Sequence, residues 1–247
     1  ENTKNFLSVS NAAFPQLTEH LGNNRQDLFQ KDLRQLLRVI IWMALPVSVI
    51  TFFTRGYVVH FIRNTGDPMM AGILGCLVVA ILFRTIYHMA ARAFYAQQDT
   101  KTPLNISFAA IGLNVVLAIV LSMVLKMGAY GLAWAQSTVA VIEVVILFVV
   151  LEKRIPHLFD ASFVAAVLRM IVASTVAGIV CYLMLQVLPF RESDSSFFSA
   201  FPKFMIIAGV SFLAYGLMSR MLKLPEVEPI IRQVNKFLFV RLDGKRR

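Results

Sequence analysis

With 57% hydrophobic residues, 20 phenylalanines and only 15% charged residues in 247, the chain carries more apolar side chains than a water-soluble domain of its length buries, and its mean hydropathy of +0.68 places it in a membrane. The formal charge of +10 does not indicate a nucleic-acid partner, because the cations fall in connections and tail rather than on a soluble basic face. Cys76 and Cys181 each lie inside an apolar run, which excludes a secreted disulfide framework or a cysteine metal site.

In chain order, Ser8 to Leu17 (Ser-Val-Ser-Asn-Ala-Ala-Phe-Pro-Gln-Leu) reads as the last turns of a helix whose start is missing, and the chain, beginning at Glu1, reads as a piece of something longer. Thr18 to Arg38 is polar and helix-forming, with Leu28, Leu33, Leu36 and Leu37 on one side, which predicts an amphipathic lead-in lying at the membrane surface. A bilayer core of about 30 Å needs roughly 20 apolar residues per helix. Segments of that kind run from about Val39 to Val59, Met70 to Ala96, Leu104 to Leu125, Ala129 to Leu151, Phe163 to Leu188 and Phe201 to Met221. Pro46 is expected to kink the first of them. Asn64-Thr-Gly-Asp-Pro68 reads as a turn, and Lys126-Met-Gly-Ala-Tyr-Gly131 as a tight hairpin.

Pro156 to Ser162 is the clearest internal boundary, and Arg191-Glu-Ser-Asp-Ser-Ser196 joins the last two spans. Past Lys223 the pattern is amphipathic and ends in Lys245-Arg-Arg247, a surface helix for anionic lipid. The fold class is therefore an all-α polytopic helix bundle, divided as 1–155, 156–222 and a basic tail 223–247. Alternate connections carry most cations: Arg25, Lys31, Arg34 and Arg38, then Lys101, then Lys153 and Arg154, then the C-terminal run. By the positive-inside rule this set, with the C-terminus, faces the cytoplasm.

Arg84, His88 and Arg92 fall at i, i+4 and i+8, so one stripe of an apolar helix holds two fixed cations and an imidazole. An arginine near mid-membrane costs about 2.5 to 3.5 kcal/mol on insertion scales, so Arg84 is expected to face a cavity. There it fits an anionic substrate such as a pyrophosphate. A structural ion pair is the plainer reading, and for Arg92, a turn from the helix end, so is snorkelling. Glu143 is the only acid well inside a span; pairing with Arg84, lining a cavity and taking up a proton or cation all remain open to it. Asn114 is expected to make an interhelical hydrogen bond, and Gln136, Ser137 and Thr138 to act as packing glue. Thr102 before Pro103 reads as a helix N-cap, with Asp99 and Thr100 in the same turn. No paired carboxylates, nucleophile triad or phosphate loop is present, so an enzyme is not expected.

Arg92-Ala-Phe-Tyr-Ala-Gln-Gln-Asp-Thr-Lys-Thr-Pro103 carries a more specific signal. It resembles the lipid II flippase family (MurJ/MviN), in which an Arg-x-Phe-Tyr-Ala run leads through Asp-Thr-x-Thr-Pro into the next helix; Phe94, Tyr95, Asp99, Thr100, Thr102 and Pro103 match. The Phe14-Pro-Gln-Leu17 string resembles the same family, and the likeness spans roughly Asn5 to Met221. It implies the second lobe and added helix pair of a fourteen-helix bundle in a bacterial inner membrane, with both termini cytoplasmic. It also implies flipping of lipid II, undecaprenyl-pyrophosphate-disaccharide-pentapeptide, by alternating access for peptidoglycan synthesis, and a groove for the lipid tail between the last two spans. No cofactor is implied beyond a coupling cation, sodium or proton, or the membrane potential. Some members hold sodium with an Asn and an acid one turn on; here Ala118 stands where the acid would follow Asn114. On this reading the missing N-terminal lobe is a partner, and the chain alone does not flip substrate. Export of another polyprenyl-linked saccharide, or a scaffold role without transport, are the alternatives.

Overall fold

The computed structural model describes residues 26–63, 67–189 and 197–227. The expected helix end at Ser8 to Leu17, the Arg191 to Ser196 loop and the tail past Val227 lie outside them. Among the described residues regular structure is helical: α1 (Gln26–Phe53), α2 (Arg55–Arg63), α3 (Pro68–Ala96), α4 (Lys101–Ile119), α5 (Ala129–Arg154), α6 (Ala161–Val187) and α7 (Phe197–Met221). All but α2 are long and apolar enough to cross a membrane, α4 with the π-helical turn Val120–Val124 that prolongs it. The chain is thus a multi-pass membrane bundle, as the apolar runs predict.

Three expectations change. The lead-in is no separate surface helix: from Gln26 it is continuous with the first span, and Phe29, Leu33, Leu36 and Leu37 are buried while Leu28 is exposed. What holds it upright is the α5–α6 connector. Arg34 donates to the carbonyls of Leu158 (3.0 Å) and His157 (2.5 Å) and pairs with Asp160 at 2.8 Å. Second, the first span stops short of Val59: α1 runs through Pro46 and ends at Phe53, and the Thr54 hydroxyl donates to the Ile50 carbonyl at 2.8 Å. Third, Asp99, not Thr102, caps α4.

The helices pack side by side in the order α4, α5, α3, α1, α6, α7, with α2 against α3 and α7. In a bilayer apolar burial alone does not drive helices together, so close packing of small residues carries the association. Ala90, Ala91 and Ala93 of α3, Ala133, Ala135 and Ala140 of α5, and Ala166, Ala173 and Ala177 of α6 are all buried. Gly178 admits the edge of α1: a Cβ there would stand 2.9 Å from both Val49 and Phe53 side chains. Trp42 donates to Ser219 Oγ (3.3 Å) and Tyr215 to the Trp42 carbonyl (2.8 Å), which fixes α7 on α1. α4 is the least enclosed helix, with Pro103 its one buried residue.

The α4–α5 hairpin depends on Gly128 and Gly131. Gly128 has φ +57, and its N–H and that of Met127 close onto the Ser122 and Leu121 carbonyls at 3.3 and 3.2 Å. At Gly131 the backbones nearly touch. A Cβ there would lie 2.6 to 2.8 Å from the backbone of Leu121 and Ser122, inside the π-helical turn.

Candidate transport face and signature turn

Arg84, His88 and Arg92 share one stripe of α3, and all three are exposed in this chain. The stripe is therefore not buried by the helices present. Arg84 is held from the side by α5. The Gln136 amide lies 2.7 Å from the Asn114 amide of α4 and against the Arg84 guanidinium. Amide orientation is assigned from neighbours, and a guanidinium offers only donors. With the Gln136 oxygen toward it, that oxygen accepts from Arg84 Nε at 3.2 Å and Nη2 at 2.8 Å, and the Gln136 nitrogen faces Asn114, its amide turned in concert. Arg84, Gln136 and Asn114 thus tie three helices together by polar contacts at mid-span. The tie orients Arg84, and no acid among the described residues forms an ion pair with it.

Gln136 was legible only as weak packing glue, because glutamine in a membrane helix is ordinarily that. Asn114 makes the interhelical bond expected of it. Ser137 donates to the Cys76 carbonyl at 2.6 Å, the same kind of glue.

Glu143 does not pair with Arg84. It sits on α5, 4% exposed, and accepts from Ser107 Oγ of α4 at 2.9 Å. Ser107 is 2.7 Å from the Tyr87 hydroxyl of α3, which also reaches the Pro103 carbonyl at 3.1 Å. His88 stands edge-on to the Tyr87 ring at 5.8 Å.

The turn between α3 and α4 is built from the signature string. α3 ends with Gln98 in the left-handed region (φ 58). The Asp99 N–H bonds back to the Phe94 carbonyl at 2.9 Å and the Gln98 N–H to Tyr95 at 3.0 Å, a Schellman closure. Asp99 then starts α4: Oδ1 accepts from the N–H groups of Lys101 (3.0 Å) and Thr102 (3.1 Å), and Oδ2 from Thr102 Oγ1 (2.6 Å). Thr100, the residue before the helix, makes no side-chain cap bond. Arg154, at the end of α5, closes the turn from outside, with Nη2 2.6 Å from Asp99 Oδ2 and 2.8 Å from Thr102 Oγ1 and its guanidinium over the buried Phe94 ring at 5.1 Å. The Thr102 hydroxyl and N–H, and then Arg154, hold the Asp99 carboxyl well below the usual range. Tyr95 is exposed. Arg154 was legible only as a topological charge, because its partners are 52 or more residues away.

The sequence model of a family described as "Lipid II flippase MurJ" matches residues 6–201. The chain belongs to this family. A probable lipid II flippase MurJ of Thermotoga maritima is 25% identical over 233 residues, 92% of this chain and 44% of that protein. One from Borreliella burgdorferi is 26% identical over 160 residues, 60% of this chain and 30% of that one. A solved structure, lipid II flippase MurJ in an inward closed conformation, superposes with a TM-score of 0.66 at 22% identity, over 85% of this chain and 42% of its own. The fold is therefore the family's, and the chain spans less than half the length of these relatives.

Proposed function

We propose that this chain supplies the second lobe, and the helix pair added to it, of a transporter that flips lipid II across the bacterial inner membrane for cell-wall synthesis. The observation that carries the reading is the stripe of α3: Arg84, His88 and Arg92 stand exposed on one face, with Arg84 oriented by Gln136. A guanidinium held by a neutral amide keeps its full charge for an anionic ligand. A pyrophosphate offers it bidentate oxygens. Alternating access about a mid-membrane site requires that such a face be covered by another lobe in one state and wetted in the other. The family's two-lobe architecture supports this.

The cation-rich connections, with Lys101, Lys153 and Arg154 on one side, support a cytoplasmic placement of the signature turn and of the C-terminus. The outer faces of α6 and α7, rich in exposed Leu168, Ile179, Leu183, Ile206, Leu213 and Leu217, suit the polyprenyl tail.

The test is depletion of the full-length parent in cells, complemented by parent carrying Arg84→Ala, with labelled precursor followed by its accessibility outside the cell. Wild type is expected to restore export and the variant to fail at normal membrane levels. Normal export by the variant would remove the cationic-face reading.

A further inference from the structure

Glu143 has a setting that the transport face does not use. It lies on α5 eleven residues before Arg154, about 16 Å from that helix end at 1.5 Å per residue, and is 4% exposed. The other acids on the described spans, Asp27, Asp32 and Glu152, sit near helix ends. Among the described residues no cation forms an ion pair with Glu143. Arg84, the cation on the neighbouring helix that shares its surroundings, is engaged by Gln136. A groove of about 260 Å³ between α4 and α5 runs past the carboxyl. It is walled by Ile106, Ala109, Leu113, Val139, Ile142 and Ile146, with Asn105 the other polar lining residue.

Burial away from water penalises a carboxylate that has no counter-charge among the described residues, and a proton bound there removes the charge. Its hydrogen-bond partners fit both forms. Ser107 Oγ is 2.9 Å from Oε1, Tyr87 OH is 2.7 Å from Ser107, and the Pro103 carbonyl is 3.1 Å from Tyr87. The members between the ends are hydroxyls, each able to donate or accept.

We propose that Glu143 is a proton-binding site within the membrane-spanning bundle, and that Ser107 and Tyr87 report its protonation to the Pro103 carbonyl of the signature turn. When Glu143 is ionised, Ser107 donates to Oε1 and Tyr87 donates to Ser107. When a proton from water enters by the groove and settles on Oε1, that O–H donates to Ser107, Ser107 donates to Tyr87, and Tyr87 donates to Pro103. One proton is gained at Glu143 and each hydroxyl keeps one. The direction of the chain reverses, and the backbone carbonyl at the start of α4 gains a donor.

The groups facing this chain are few. Among the described residues they are, from α3, Tyr87, Arg84, Tyr95 and His88, the last edge-on to the Tyr87 ring; from α4, Ser107, which does not titrate; from α5, Glu143 itself. Release of the proton places a negative charge near Arg84, so an anionic substrate on the stripe and an ionised Glu143 oppose each other. That use of the site rests on the transport reading; the site does not.

The experiment is infrared difference spectroscopy of the full-length parent in liposomes, without substrate, with Pro103 carrying a ¹³C carbonyl. A protonated-carboxyl carbonyl band that disappears on alkaline titration is expected in wild type and lost in Glu143→Gln. In Ser107→Ala the same band is expected to shift to higher frequency as its acceptor disappears, which assigns it even if Glu143→Gln fails to fold. On alkaline titration of that band the labelled Pro103 carbonyl is expected to shift with it, and Tyr87→Phe to abolish the shift of Pro103 alone. Absence of the band, meaning a carboxylate matched by a cation from elsewhere in the protein or from solution, overturns the proposal. So does a band that survives in Glu143→Gln, or a Pro103 carbonyl indifferent to the titration. Each of these outcomes is independent of whether the parent flips lipid II.

Discussion

Replacing Gly131 with alanine tests how tightly α4 and α5 are joined. The added Cβ would fall 2.6 Å from Leu121 C, 2.7 Å from Ser122 N and 2.8 Å from Leu121 O, distances that packed atoms do not adopt. All three obstacles are backbone and belong to the π-helical turn, so no side-chain rotation relieves them. Overpacking of this kind costs typically 1 to 3 kcal/mol, and a rigid obstacle places Gly131→Ala near 3 kcal/mol, about a hundredfold in the folded-to-unfolded ratio. Gly112, on α4, has nothing within 4 Å of its virtual Cβ. Gly112→Ala is therefore expected to be neutral, or stabilising by up to about 1 kcal/mol through helix propensity. The assay is reversible unfolding of the two variants in mixed micelles against wild type. Equal stability of Gly131→Ala and Gly112→Ala would refute the backbone-contact argument.

The Asp99 carboxyl should titrate closer to the ordinary range in Thr102→Val than in Arg154→Ala, since the threonine hydroxyl is its strongest support; carboxyl-carbon NMR across an acid titration checks this, and the reverse order would contradict it. Asp160 is held below 3.8 by the Phe163 N–H first, then the Ser162 hydroxyl, with Arg34 contributing. Because its folded value is depressed, the stability it adds is present at neutral pH and above 3.8 and is lost as pH falls through the lower folded value. Asp160→Ala should accordingly lower stability in unfolding at neutral pH through the lost N-cap, with the difference from wild type shrinking in acid. Gln136→Leu removes the acceptor that orients Arg84; in the complementation assay it is expected to lower export markedly at normal membrane levels, and unaltered export would show that Arg84 needs no such support.

Much of the fold was legible because membrane helices are written as long apolar runs, and α3 to α7 begin and end within a few residues of the expected limits. The misreadings share a cause. The Thr18 to Arg38 stretch looked interfacial because its polar residues were scored without partners; Arg34 spends its charge on a connector 123 to 126 residues away, which no local pattern displays. The cap of α4 went to Thr102 because threonine before proline is the commoner signal, whereas Asp99 reaches forward two and three residues to the same N–H groups. At the candidate site the Arg84 stripe was visible as spacing. Its holder, Gln136, was invisible because an uncharged amide acquires meaning only from the atoms opposite it.

α1 is the common neighbour of the two halves of the bundle, with α3 on one side and α6 on the other. At 28 residues it is a beam of about 42 Å, and its Val49 and Phe53 side chains meet α6 at Gly178. The outer surfaces of α6 and α7 are consequently separated from Arg84 by a full helix. Substitutions that recontour those surfaces are therefore expected to leave the cationic stripe, and the polar tie across α3, α4 and α5, in register.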